Sequence, residues 1–336
     1  MPHHNLDSII NKIIKFINPT IGLKWKSGGF LVNFKKIEVI KMSRIALGLM
    51  RIENMKKEEL YKLILDSLKN GVTIFDIADI YGNGKCESLL GEVFFEHPEI
   101  REKMYLQTKC GISTDSIGYD SSYDNIIKRV NASLKRLNTS YIDCLFIHRP
   151  DIFMDNKEIS RAISDLQDKK LIRDFAVSNF SSSEIRYLQK TLKTPIKYNQ
   201  VQLGLGNTNM IDQAFYTNMP NNLVSKENDD LFFFLKMEEI VIQCWSPFQY
   251  GFFEGSIFNS EKYPVINDVL QRFATKYNTS KCAIATSFLL RLDKNLIVVT
   301  GTTKIDYLLE AISGESINLS REDWYQIYKD CGHMLP

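Results

Sequence analysis

The sequence predicts an α/β protein, a closed (β/α)8 TIM barrel, and three observations point there. Strand-like and helix-like patterns alternate from about Ser43 to the end of the chain. They make eight strand–helix units, which over 336 residues fit a closed barrel better than an open doubly wound sheet. No G-x-G-x-x-G follows the first strand, which argues against a Rossmann domain. Strands that alternate with helices pair in parallel through right-handed crossovers.

The elements follow in order. Arg44-Ile45-Ala46-Leu47 reads as the first strand. Leu60, Leu63, Ile64 and Leu68 share one helix face, closed by Asn70-Gly71, because the residue after a helix commonly turns left-handed. Thr73 to Asp76 is the second strand, and a helix runs from about Glu87 to Phe95. Met104 to Lys109 precedes a long helix with Ile126, Ile127, Val130, Leu134 and Leu137 on its apolar stripe. Tyr141 to His148 leads to a helix bearing Ile159, Ala162, Ile163 and Leu166. Then come Arg173 to Val177, a helix near Glu184, Lys197 to Gln202, a helix over Leu231 to Met237, and Ile240 to Cys244. The last unit is a helical region from Val265 to Leu292, broken at Asn278-Thr279-Ser280, and the strand Leu296 to Val299.

Composition narrows the function classes. The net charge of +2, with basic residues scattered among acids, offers no field for nucleic acid or a membrane surface. Six cysteines form no CxxC pair and no zinc-type spacing, so free thiols in a reducing cytoplasm are expected, and no metal. No apolar stretch approaches the roughly 20 residues needed to span a bilayer. Residues 1–42 are expected to be an N-terminal extension with a strand or hairpin closing the barrel bottom, and 43–336 the barrel. Within the extension, Ile9, Ile10, Ile13, Ile14 and Phe16 have helical spacing, with lysines and no acids between Ser8 and Ile37. That could be a targeting peptide or an amphipathic surface helix, but arginine is absent there and no small-residue cleavage site follows, so an extension helix packed on the barrel is expected.

The most informative run is Phe75-Asp76-Ile77-Ala78-Asp79-Ile80-Tyr81-Gly82-Asn83-Gly84, a buried strand that ends in a glycine-punctuated turn. It places Asp76 at a strand end and Tyr81 in the loop beyond. Two later strands also end in ionisable residues, Lys109 and His148. In a barrel of this kind the strand ends converge on one mouth, so these four side chains can meet. A tyrosine, with a reference pKa near 10, is a poor acid at neutral pH. A lysine cation beside it favours the phenolate, and a carboxylate holds that cation in place. A histidine can hydrogen-bond a carbonyl oxygen and orient it. The set suits protonation of an alkoxide as it forms. Each residue alone also has a bland explanation: a loop cap, a buried phenol, a rim lysine, a structural histidine. The coincidence of four types on three successive strands raises the functional reading.

With those residues in view, the chain resembles the aldo-keto reductases, closest to bacterial oxidoreductase-type members, from about Ser43 onward. Gly71 to Gly91 is similar to that superfamily's first signature. Tyr141 to Asp151 resembles its fourth-strand segment, and Val177-Ser178-Asn179-Phe180 its fifth. The family's catalytic tetrad would fall on Asp76, Tyr81, Lys109 and His148. The resemblance implies a nicotinamide cofactor bound without a Rossmann fold, and a small-molecule carbonyl substrate. Ser178, Asn179 and Gln200 would hold the carboxamide, and Trp245, followed by Ser246, would stack on the nicotinamide ring. Gly301, Thr302, Thr303 and Lys304 would meet the adenosine phosphate and Glu310 the adenine. Two departures bear on the cofactor: Tyr307 stands where an arginine usually meets the 2′-phosphate, and Ala311 replaces a common asparagine. NADPH is the expected cofactor, NADH the alternative, with Lys304 as a compensating point charge. A third departure, Ala176 for a usual glycine, is expected to be tolerated.

The expected reaction is reduction of aldehydes or ketones with Tyr81 as general acid. Two rivals stand beside it: a nicotinamide-sensing regulatory subunit with little turnover, and a Schiff-base aldolase using Lys109. Selectivity is assigned to loops Gly111 to Ser122 and Gly204 to Glu227, the C-terminal tail, and Phe248, Tyr250, Phe252 and Phe253, whose content suggests an apolar pocket.

Overall fold

Eight strands, each followed by a helical segment, close into a ring, which leaves none of these buried apolar runs at an edge. The computed structural model describes residues 22–26, 29–33, 41–114, 117–216, 230–249 and 255–336. Two compact units result, residues 1–41 and 42–336. In the first, β1 (Gly22–Lys26) and β2 (Gly29–Asn33) pair antiparallel as a hairpin. The expected helix around Ile9 to Phe16 lies outside the described residues.

The second unit is the barrel. Its strands are β3 (Ile45–Gly48), β4 (Ile74–Asp76), β5 (Tyr105–Cys110), β6 (Ile142–Ile147), β7 (Ile172–Ser178), β8 (Ile196–Gln202), β9 (Val241–Trp245) and β10 (Ile297–Thr300). All pair in parallel, and β10 pairs back onto β3 to close the ring. Helices α1 (Lys57–Lys69), α2 (Lys85–Glu96), α3 (Tyr123–Arg136), α4 (Asn156–Asp168) and α5 (Ser182–Gln189) follow the first five strands. Helices α6 (Asn209–Tyr216) and α7 (Leu231–Met237) follow β8, and α8 (Pro264–Lys276) and α9 (Lys281–Leu290) follow β9. After β10 come α10 (Ile305–Ser313) and a terminal α11 (Arg321–Asp330). The break between α8 and α9 falls where the sequence places it: Asn278 is left-handed at φ 50°, and the Ser280 hydroxyl caps α9 by accepting from Ala283 N. Helix α6 lies inside what the sequence suggests is a loop.

Alternation divides the apolar residues into two cores. The larger lies between strands and helices. The smaller, with Ala46, Ile74, Tyr105, Cys144, Phe146, Ala176, Tyr198, Ile297 and Val299, fills the barrel interior. Phe146 and Tyr198 stack at 6.0 Å although β6 and β8 are not neighbours, so their rings meet inside the ring of strands. The Ala176 methyl is fully buried there, accommodated as expected. Outside, Gly91 lets α2 approach α3 closely, since a Cβ on it would stand 1.9 Å from the Arg136 carbonyl oxygen.

A buried carboxylate on β6 ties neighbouring segments together. Asp143, fully buried on β6, binds Arg101 and Arg173, each at 2.8 Å, and accepts from Leu106 N. The two guanidinium groups lie over the Tyr141 ring, at 4.1 and 4.3 Å. All six cysteines are unpaired thiols, five of them buried. No helix among the described residues is long and apolar enough to cross a membrane.

Candidate active site

The four ionisable residues meet at the carboxyl ends of neighbouring strands. Asp76 is the last residue of β4, Lys109 the penultimate residue of β5, and His148 follows β6 directly. Tyr81 opens the turn Tyr81–Gly84, where Gly82, Asn83 and Gly84 all have positive φ, at 56°, 54° and 87°. This left-handed run explains the glycines, because an L side chain is strained there. The Lys109 Nζ lies 2.6 Å from Asp76 Oδ2, 3.0 Å from the Ile77 carbonyl oxygen and 3.3 Å from Tyr81 Oη. The His148 ring stands edge-on to Tyr81, with centroids 5.9 Å apart.

Burial sets the electrostatics. Lys109 is fully buried and Asp76 nearly so. Burial works against the lysine cation, yet the fields and hydrogen bonds of Asp76 and Tyr81 outweigh it and raise its pKa. For Tyr81 the outcome differs from the sequence expectation. Burial pushes the phenol above its ordinary value, and the opposing pull of Lys109 only partly offsets it. The site therefore favours the protonated phenol. Burial, then Lys109 and Arg149, hold His148 well below the usual histidine range, so its ring is neutral. Its Nδ1 is buried without a hydrogen-bond partner among the described residues.

A second polar group adjoins this one. Ser178 ends β7, Gln200 lies on β8 and Trp245 ends β9. Asn179 and Ser246 follow their strands with positive φ, 63° and 45°, which turns the chain sharply at the mouth. The Ser178 hydroxyl donates to the Gln200 carbonyl oxygen at 2.9 Å, and Asn179 Nδ2 donates to Ser178 Oγ at 2.8 Å. The Trp245 indole N–H donates to Asn179 Oδ1 at 2.9 Å, which fixes the tilt of the ring. Gln200 Nε2 donates to Asp76 Oδ1 and Gln243 Oε1, each at 2.9 Å. The donors are thus spent within the protein, and what remains is oxygen lone pairs on Ser178, Asn179 and Gln200. Acceptors beside an aromatic face fit the NH2 group and the ring of a nicotinamide.

At the other end, Gly301 to Lys304 link β10 to α10, as the sequence suggests. The Thr302 hydroxyl is already engaged, donating to the Lys304 carbonyl oxygen and accepting from Lys304 N. The Lys304 ammonium stands 5.6 Å from the Tyr307 ring centroid, and Glu310 lies half-buried on α10. Of the predicted selectivity residues, Phe248 packs against Phe258, with ring centroids 5.2 Å apart. Tyr250, Phe252 and Phe253 lie outside the described residues, as does the stretch 217–229.

Sequence reasoning missed three buried polar residues. Gln107 and Gln243 meet across the barrel interior, and Gln107 Nε2 donates to Asp76 Oδ1 at 2.8 Å. The signal was polar amides at inward positions of apolar strands. The third is Asp79, two residues before Tyr81, whose backbone N–H donates to the Lys109 carbonyl oxygen at 3.1 Å. Its Oδ2 binds Arg129 Nε at 2.6 Å, and Arg129 also reaches Thr114 Oγ1 at 2.7 Å. Asp79 Oδ1 is buried with no hydrogen-bond partner among the described residues. Burial, against the Arg129 hydrogen bond, pushes the Asp79 carboxyl from 3.8 up to about 6; Glu87 and Arg136 nearby act in opposite senses. A carboxyl raised on folding binds its proton earlier in the native state, so stability falls as pH rises through the window between those two values. Asp79→Asn will therefore gain on the wild type as pH is raised from about 4 to about 6.5 in urea titrations. A difference independent of pH would remove Asp79 from this role.

Fold and site together define a barrel with a cluster of ionisable residues and an aromatic-flanked polar group at its mouth. The comparisons give it a family: the chain belongs to the aldo/keto reductase family, whose model matches residues 44–329. It is thus an NAD(P)H-dependent oxidoreductase acting on carbonyl or alcohol groups. Oxidoreductase YdhF of Escherichia coli is 30% identical over 298 residues, covering 86% of this chain and 93% of that protein. A 6-dehydroglucose reductase of Agrobacterium fabrum is 28% identical over 300 residues, covering 86% and 94%. The fold matches that of a Klebsiella pneumoniae aldo-keto reductase in complex with NADPH, with a TM-score of 0.69 at 18% identity, over 86% of this chain and 90% of that one.

Proposed function

We propose that this protein reduces aldehyde or ketone carbonyls to alcohols with NADPH, and that Tyr81 is the proton donor. The observation that carries the reading is the hydrogen-bonded line from buried Asp76 through Lys109 to half-buried Tyr81, with a neutral His148 beside it. A nicotinamide held by Ser178, Asn179, Gln200, Trp245 and Ser246 would supply the hydride.

The protein's own residues do the rest. His148 is bound by no acceptor at Nδ1, which leaves a proton best placed on Nε2, where it can donate to a carbonyl oxygen. As charge builds on that oxygen, Tyr81 gives up its proton. The alcohol being formed is a far weaker acid than a phenol, so the transfer is downhill despite the raised phenol pKa. Lys109 then faces the phenolate at hydrogen-bond distance, and Asp76 keeps the ammonium charged and aimed. This fixed field, already in place before reaction, is how the site lowers the barrier. Gly301, Thr302, Thr303, Lys304 and Glu310 would hold the adenosine end.

The Schiff-base alternative loses ground on Lys109 itself. Its ammonium is buried against a carboxylate and its pKa is raised, so it is not the neutral amine that attacks a carbonyl. The sensing alternative is the less favoured, since the relatives carry enzyme names. The test is loss of NADPH absorbance against a panel of aldehydes and ketones. A sugar aldehyde belongs in it, after the relative named for 6-dehydroglucose. Turnover of at least one compound is expected; cofactor binding without turnover of any would return the protein to the sensing class.

A further inference from the structure

The seam between the first and last barrel strands carries a cation that the family resemblance did not point to. Because β10 pairs with β3, the loops that follow them emerge side by side. Their strand ends are packed tightly: a Cβ on Gly48 would touch Val299 Cγ1, Thr300 O and Gly301 Cα at 3.4 to 3.5 Å. From the β3 side, Arg51 crosses this seam, and its Nη1 donates to the Gly301 carbonyl oxygen at 2.7 Å. A Cβ on Gly301 would stand 2.9 Å from that same nitrogen. With no side chain at 301, the guanidinium takes the space that a Cβ there would share.

A guanidinium has five N–H donors in a planar fork. Arg51 makes no other hydrogen bond or ion pair among the described residues and is exposed, so the rest of its fork is open at the start of the loop from β10 to α10. Charge without a carboxylate partner, anchored by one edge, suits bidentate capture of a phosphate. The helix that follows supplies little of this. Its Tyr307 has no charge and is about half exposed at 55%, Lys304 leans over that ring, and Asp306 in its first turn opposes an anion.

We propose that Arg51 is the residue that selects NADPH over NADH, gripping the 2′-phosphate from the β3 side in place of an arginine on α10. This rests on the nicotinamide reading above and adds where the phosphate specificity comes from. It also accounts for Gly301 and Tyr307 together: the first makes room for the cation, and the second no longer needs to be one.

The test is equilibrium binding of NADP+ and NAD+ to the full chain, read by quenching of tryptophan fluorescence, with no substrate present. Arg51→Ala is expected to weaken NADP+ by about 10- to 100-fold, as loss of charge-assisted hydrogen bonds does, and NAD+ by less than about threefold. Arg51→Lys, which keeps the charge and loses the fork, is expected to fall between. An NADP+ to NAD+ affinity ratio unchanged by Arg51→Ala overturns the proposal and leaves the nicotinamide reading standing, whether both affinities hold or both fall alike. A wild-type protein that binds neither dinucleotide overturns both. Arg51 is exposed and outside the core, so the variants fold; an unshifted thermal midpoint checks this.

Discussion

Tyr81→Phe will lower kcat for carbonyl reduction by about a hundred- to ten-thousand-fold, the range for loss of a positioned general acid. The change removes one oxygen and little else. The ring keeps its edge-on contact with His148, and Lys109 keeps Asp76 and the Ile77 carbonyl as partners. Cofactor affinity, measured by the same fluorescence quenching, is expected to stay within about threefold, because no residue of the adjoining polar group bonds to the phenol. Turnover at wild-type rate in this variant would strip Tyr81 of its role. A matching fall in cofactor affinity would instead mean that the phenol shapes the binding site.

Lys109→Met will have the largest effect on stability as well as abolishing turnover. Its ammonium and the Asp76 carboxylate, 2.6 Å apart, lie inside the barrel where water cannot replace either partner. Removing one member of such a pair leaves a buried charge and costs about 3–5 kcal/mol. Gln107 and Gln200 still donate to Asp76 Oδ1, so the carboxylate is not wholly abandoned, which favours the lower end. Urea unfolding of the single variant measures this loss. Adding Asp76→Asn removes the stranded charge, and most of the stability is expected to return while turnover does not. If the double variant is no more stable than the single one, the cost lies in packing around the methionine and not in the charge.

Much of the fold was legible because parallel strands and amphipathic helices leave different periods in a chain. The apolar stripe of α3 and the Asn278 to Ser280 break were readable at the level of single residues. Helix α6 was not, since Gly204 and the polar residues after it carry the signature of a loop and only packing makes Asn209–Tyr216 helical. At the site, Asp76, Tyr81, Lys109 and His148 stood out as ionisable residues at the ends of apolar strands. Arg51 did not, because a surface arginine in a short loop looks like any solvated charge until its partner 250 positions away is known.

From the order of its residues alone, this protein is a strand–helix ring with an acid, a phenol, an amine and an imidazole at one rim. That much follows from local periodicity and from which residue types end each strand. The direction in which the phenol, the amine and the imidazole titrate was decided only by tertiary structure. A phenol next to an ammonium suggests easy ionisation on paper, yet enclosure in the barrel mouth outweighs that attraction and keeps the proton on Tyr81. Desolvation depends on everything packed around a group, most of it distant in the chain, and so it is a property of the fold.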